Sequence, residues 1–544
     1  MVRSHLLGGL LLLSLASLDL KRSETFLTWP MRGKAVGFES GFHRASGMAR
    51  RVEPKATNSV VDIFGREVGD QGQEDGSHEG QGRKHFVVKV YCMYSSQDPS
   101  HPWTNKQQED RMGSGCVILH EGKMCLLTNA HVVADASYVE VRKAGNAKKF
   151  SASRLKIAHE CDLALLSLED DGFWADVSPL DFGPMPSLQD EVSVVGYPTG
   201  GDGVSVTEGV VSRIEIQTYE HSGVDLLAVQ IDAAVNPGNS GGPVLNEDSL
   251  LIGVAFQNQQ NSQNIGYVIP VPVIEHFLKD TDPQDPSRSQ GFCSLGIFYQ
   301  GLENDQLRES LALEHRTGVY VRGLLPLSPA QGLVFPGDVL LELENRSISN
   351  DGTFYVGFQE RLSFVYLIQL KFPGQKVSVK LWRPGTGELS LQVPVFPLQP
   401  LVPITVQDSL QPWFLYGGML FVVLTVSYLQ EWGSKWLHDA PVDLVMLQKE
   451  GLKKDPEEQI VILSKCYPSR RTAGYSLLNE RRVVSVNERA VRNLREMYGW
   501  IQSCVGSDMR AAVATETAEE VNQDVMRVYR IPADASLDLR EGST

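Results

Sequence analysis

A mainly β fold is predicted for the middle of this 544-residue chain, and three observations predict it. From Lys84 onward, short apolar and β-branched runs recur between clusters of Gly, Pro, Asn and Asp. Such runs read as strands, and many of them in series suggest a sandwich or barrel. Helical i, i+3, i+4 spacing is rare in the same stretch. Finally, residues 236–244 set Ser240 among three glycines (Gly238, Gly241, Gly242) and two prolines (Pro237, Pro243), between apolar runs at 226–231 and 250–256.

In order, the strands are expected at 86–94, 114–119, 124–129, 138–142, 163–168, 191–197, 203–215, 226–232, 250–256 and 266–270, with a closing helix over 271–278. The serine turn sits between the eighth and ninth of these. A serine hydroxyl is a weak nucleophile and needs a base to take its proton and donors to hold the oxyanion it creates. Gly238 and Ser240 can direct backbone N–H groups at one point, with Asn239 between them. Upstream, the run Leu126-Leu127-Thr128-Asn129-Ala130 ends in His131, and Asp162 directly precedes the apolar run Leu163 to Leu166. Alone, that His reads as a packed core histidine and that Asp as a turn cap. Together they place His, Asp and Ser at strand ends in the chain order of chymotrypsin-like enzymes.

These motifs carry a resemblance. Thr128-Asn129-Ala130-His131-Val132-Val133, Asp162-Leu163-Ala164-Leu165-Leu166, Gly196-Tyr197-Pro198 and Gly238-Asn239-Ser240-Gly241-Gly242-Pro243-Val244 together resemble the Deg/HtrA serine proteases. The wording at 90–92, 101–103, 209–213 and 264–270 is most similar to their plant-type organellar branch. The resemblance implies a chymotrypsin-like double β-barrel at 84–280, followed by two PDZ-like α+β domains at 291–397 and, in degenerate form, 404–533. It implies a catalytic set of His131, Asp162 and Ser240, and an oxyanion hole of Gly238, Asn239 and Ser240. Ala234 stands six residues before Ser240, where trypsin-like enzymes carry the Asp that selects Lys or Arg. A primary pocket of Ala234, Val254 and Ala255 should therefore accept small or medium apolar side chains. In the first PDZ-like unit, Ser294-Leu295-Gly296-Ile297 resembles the loop that receives a peptide C-terminus beside an open strand edge. The family acts without ATP on unfolded or damaged polypeptides and works as trimers or multiples of trimers. Tyr91, Tyr94 and Trp103 offer aromatics for docking subunits. The rival reading is a peptide-binding chaperone or scaffold whose protease domain is dispensable.

Composition narrows the rest. With 66 acidic against 50 basic residues and a net charge of -16, nucleic acid and anionic membrane surfaces are poor partners. Seven cysteines without a CxxC pair form neither a disulfide framework nor a zinc site. With no metal-ligand or phosphate-loop motif in view, neither metal nor cofactor is expected.

The N-terminus carries targeting signals. Arg3 and His5 precede an apolar run, Leu6 to Leu18, the length of a signal-peptide core. From Lys21 to Arg51 the only acids are Glu24 and Glu39, which is transit-peptide character. Residues 1–50 thus read as a bipartite plastid leader, with the secretory pathway as the alternative, and 51–83 as a disordered linker. Residues 281–290, with two prolines, read as a second linker. The apolar stretch 413–429 is near the lower limit for a membrane helix. Its Gly417-Gly418 pair and its β-branched and aromatic residues favour a strand, so no integral membrane span is expected.

Overall fold

The computed structural model describes residues 86–258, 265–356, 360–403, 411–433, 435–470, 472–503, 509–514, 526–531 and 537–538, with two short paired strands at Val60–Val61 and Glu67–Val68. The leader and first linker otherwise lie outside the described residues.

Two closed six-stranded barrels open the described chain. The first holds β1 (Val87–Tyr94), β2 (Glu109–His120), β3 (Lys123–Thr128), β4 (Ala136–Lys143), β5 (Lys149–Ala158) and β6 (Leu163–Ser167), in the order β1-β2-β3-β6-β5-β4. The second holds β7 (Glu191–Gly196), β8 (Ser205–Thr218), β9 (Asp225–Ile231), β10 (Pro243–Leu245), β11 (Leu251–Asn258) and β12 (Gly266–Pro270), in the order β8-β9-β12-β11-β10-β7. Two of these strands had no expectation from sequence. β10 has three residues, too few for a pattern. In β5 Phe150 and Ala152 pack in the core of the first barrel, but the register shifts between Arg154 and Lys156, after which Ile157 packs against that core while Lys156 is buried on the opposite face and donates to Phe277 O. That bulge breaks the period-two alternation on which strand recognition rests.

The helix Val271–Lys279 closes the second barrel, with Val273, Ile274 and Phe277 buried. The 281–290 segment is docked, since the Ile157 N–H donates to Ser287 O at 3.1 Å. Next comes an antiparallel sheet ordered Ile297–Gly301, Val319–Leu324, Val339–Leu343, Lys376–Arg383, Gly387–Pro394, with helices Asp305–Ser310 and Val365–Gln369. This α+β unit packs on the second barrel. The His276 ring lies between Phe292 and Phe372, with centroids 4.4 and 4.6 Å away.

The run at 413–429 is a hairpin: Trp413–Tyr416 pairs with Met419–Val423 across Gly417 and Gly418, and a helical turn, Val426–Leu429, follows. Met419, Phe421 and Val423 pack with Met497 and Ile501, whereas Leu420 and Val422 pack with Leu424 and Leu444. A strand covered on both faces must be apolar throughout, which explains a run as hydrophobic as a membrane segment. Among the described residues no helix is long and apolar enough to cross a membrane.

Candidate active site

Each functional side chain is carried by a short connection between barrel strands. His131 lies in the single helical turn Ala130–Val133 after β3, and Asp162 lies between β5 and β6. Asp162 has φ of 55°, in the left-handed region, which lets its carboxylate and its carbonyl face the same segment. Its Oδ2 meets His131 Nδ1 at 2.7 Å and its Oδ1 accepts the His131 backbone N–H at 2.8 Å. Its carbonyl accepts the Ala130 N–H at 3.0 Å and Asn129 Nδ2–H at 2.9 Å. Burial pushes this carboxyl up, but His131 and His221 nearby and the bonds from His131 outweigh burial and hold it below its usual value.

Ser240 sits in the turn between β9 and β10, and residues from both barrels hold that turn. Ser114 of β2 donates its N–H to Ser240 O at 2.8 Å and its hydroxyl to Gly238 O at 2.8 Å, and it accepts the Tyr197 N–H at 2.8 Å. Glycine is required twice. A Cβ on Gly238 (φ 98°) would lie 2.5 Å from Tyr197 O, and one on Gly241 (φ 85°) 2.1 Å from Ser114 O. The Thr199 N–H reaches Pro237 O at 2.7 Å, so the N–H of the following trans peptide, on Gly238, points the opposite way. Among the described residues the N–H groups of Gly238 and Ser240 have no acceptor. The Asn239 N–H is committed to Asn236 O at 2.9 Å, which removes Asn239 from the expected set of donors. The Ser240 hydroxyl donates to Phe256 O at 3.5 Å.

His131, Asp162 and Ser240 line one cleft of about 390 Å³, walled by Glu220, His221, Val235, Asn236, Pro237 and Phe256. The residues expected to form the primary pocket do not line this cleft. Val254 and Ala255 are fully buried and Ala234, whose carbonyl accepts from Thr207 Oγ1, is not among the residues lining the cleft, while Val235 and Phe256 are. Sequence reasoning also missed His221, whose Nε2 lies 2.9 Å from His159 Nδ1 and whose ring centroid is 6.1 Å from that of His131. His159 stands three residues before Asp162, the single local signal that could have pointed to this pair. Among the described residues no group of three or more His, Cys, Asp or Glu is placed to hold a metal. The six described cysteines are free and buried, and burial pushes the Cys116 thiol up to about 12.

In the first α+β unit Gly296 has φ of 64° and its N–H is taken by Ser294 Oγ at 3.0 Å, so that donor is not free in the loop. Leu295 is buried, its carbonyl accepting the Ser328 hydroxyl at 3.0 Å. Ile297–Gly301 is the terminal strand of its sheet, pairing on one side with Val319–Leu324.

Two barrels with a His–Asp pair facing a glycine-framed serine, followed by α+β units, define a chymotrypsin-like serine peptidase with a C-terminal PDZ domain. The trypsin-like peptidase domain family matches residues 113–254, and the PDZ domain family matches residues 402–538. Protease Do-like 4, mitochondrial, of Arabidopsis thaliana is 37% identical over 464 residues, which is 83% of this chain and 85% of that protein. Putative protease Do-like 3, mitochondrial, of the same plant is 36% identical over 466 residues, covering 84% and 80%. Protease Do-like 2, chloroplastic, again from Arabidopsis, is 37% identical over 465 residues, covering 84% and 75%. The chain belongs to this Do-like, or Deg/HtrA, protease family and is a serine endopeptidase.

Proposed function

We propose that Ser240 attacks the scissile carbonyl while His131 takes its proton and later delivers it to the leaving amine. Asp162 holds the imidazole in the tautomer with Nδ1–H and stabilises the imidazolium. To attack, the hydroxyl leaves Phe256 O and turns to His131 Nε2. The N–H groups of Gly238 and Ser240 receive the oxyanion. The observation that carries this reading is the double grip of Asp162 on His131 beside a serine turn with two uncommitted N–H groups.

The substrates are unfolded or damaged chains, cut after small or medium apolar residues held against Val235 and Phe256. The terminal strand Ile297–Gly301 supports docking of peptide C-termini as an added strand. Assembly is through trimers or multiples of trimers. Trp103 packs on Trp413 and Tyr467 of the same chain and keeps 46% of its surface exposed, so it stays among the aromatics offered for that contact. The plastid is the preferred compartment, supported by the leader and the chloroplastic relative. The mitochondrial relatives make the other organelle the alternative. Casein cleavage by wild type and Ser240→Ala tests the core of the reading. The variant should lose on the order of 10⁵-fold or more in kcat, and equal activity would leave a peptide-binding scaffold as the function.

A further inference from the structure

Asp162 fixes one side of the His131 backbone; the other side is held by a residue outside the triad. Ala130–Val133 is a single helical turn, and the carbonyls of so short a turn lack partners within it. Arg111 of β2 supplies one: its Nη1–H donates to His131 O at 2.9 Å. A guanidinium is permanently charged, and its hydrogen bonds are among the stronger ones in proteins. Arg111 is itself seated, its guanidinium carbon 3.6 Å from the centroid of the Tyr94 ring. Tyr94 is paired in register with Glu109 and donates its hydroxyl to that carboxylate.

Tyr94 and Glu109 are the two ends of the 95–108 loop, and the loop is stitched into a hairpin. The Lys106 N–H donates to Ser96 O at 2.8 Å and the Asp98 N–H to Thr104 O at 3.0 Å. Its tip is gripped by the C-terminal domain. Trp103 meets Trp413 and Tyr467 with ring centroids 5.4 and 5.8 Å apart. The Tyr467 hydroxyl donates to Ser100 O at 2.6 Å, the Gln411 N–H to Gln97 Oε1 at 2.6 Å, and Lys106 pairs with Glu431. A continuous path of packed and hydrogen-bonded groups therefore joins the C-terminal domain to the backbone of the catalytic histidine.

We propose that Arg111 is a positioning residue for His131, and that the C-terminal domain, by clamping the 95–108 loop, sets where Arg111 holds it. The inference rests on the reading of His131 as the general base. A displacement of about 1 Å at a reacting group costs about 10²-fold in rate, so a loosened loop reaches the chemistry without touching the triad.

The test uses the full chain and a fluorogenic peptide. Arg111→Met should lower kcat about 10- to 100-fold with KM changed less than about twofold. Arg111→Lys should restore part of the loss, because it keeps the charge but not the planar fork. The low-field proton resonance of the His131–Asp162 bond should shift or broaden in Arg111→Met. A variant that was merely less stable would keep that resonance while folded. Trp103→Ala should lower kcat in the same direction by a smaller factor, and should add nothing further in the Arg111→Met background. An unchanged kcat and resonance in Arg111→Met would overturn the positioning role, and losses that multiply independently would overturn the route through the loop. Should Arg111→Met fail to fold, Arg111→Lys with the same two readouts decides. Ser240→Ala, run in parallel, separates the outcomes: its inactivity supports the triad beneath the inference, and its activity would overturn that triad.

Discussion

Asp162 holds His131 with both carboxylate oxygens, one on the ring Nδ1 at 2.7 Å and one on the backbone N–H at 2.8 Å. Ring and backbone are thus referenced to the same carboxylate, and the tautomer with Nδ1–H is imposed by an acceptor that carries no proton. Asp162→Asn offers one acceptor oxygen and an NH2 that confronts a donor. It should lower kcat about 10⁴-fold. Circular dichroism should change little, because the Asp162 carbonyl bonds to Ala130 and Asn129 do not involve the side chain. A loss of less than tenfold on casein would count against the assigned role.

Ser114 is the clasp between the two halves of the site. Its buried hydroxyl donates to Gly238 O and accepts from the Tyr197 N–H, so Ser114→Ala leaves both groups without their partner. Stability should fall by about 1–3 kcal/mol in urea unfolding. The freed Gly238 carbonyl should let its peptide swing and lower kcat about tenfold, less than removal of an oxyanion donor itself. A stable variant with wild-type kcat would show that the turn holds its shape without barrel one.

The cleft wall should dictate the cut. Val235 and Phe256 line it, and position 234 is an alanine with no charge to pair a cation. Mass spectrometry of products from a reduced, unfolded substrate should place Val, Ala, Ile or Leu before the scissile bond. Predominant Lys or Arg there would contradict this.

His221 makes the fold acid-sensitive. Burial pushes its pKa down to about 4; Asp162 pulls the other way, while His159, His131 and Arg111 push it further down. An unfolded histidine titrates near ~6.5. Between those values the unfolded chain binds the extra proton, so stability falls as pH falls from about 6.5 towards 4. The carboxylate of Asp162, with its lowered pKa, acts with the same sign but below about 4, where its stabilisation is lost. Melting temperatures from pH 7 to 4.5 should decline in wild type and decline less steeply in His221→Gln. Parallel curves would remove His221 from the account.

Local chemistry made much of this protein legible in its sequence. Ten of the twelve barrel strands announce themselves as apolar, β-branched runs between turn residues, and the nucleophile turn by glycines whose left-handed or crowded backbone no other residue fits. His131 and Asp162 are legible as candidates because each adjoins an apolar strand, and Ser240 because glycines frame it. The β-branched and aromatic composition of the run at 413–429 marks it as strand; the Gly417-Gly418 pair folds it into a hairpin, and Thr425 caps the helical turn that follows. β5 escaped because a bulge at Arg154 and Lys156 shifts its inward face midway.

What lay beyond the sequence is what depends on contacts between distant segments. Ser114 and Gly238 are 124 residues apart and His159 and His221 are 62 apart, and neither pair has a local pattern to betray it. The pocket lining depended on what packs over each residue, so Val254 and Ala255 are buried on opposite faces of their strand while Phe256 lines the cleft. Arg111 is one polar residue in a strand, and its bond to His131 exists because β2 runs beneath the turn that carries the base. Nothing local in the sequence shows that Trp103 packs on Trp413, 310 residues further along the chain. Burial and periodicity are written residue by residue along a sequence, whereas a hydrogen bond between barrels or a stack between domains is chosen when the chain closes on itself.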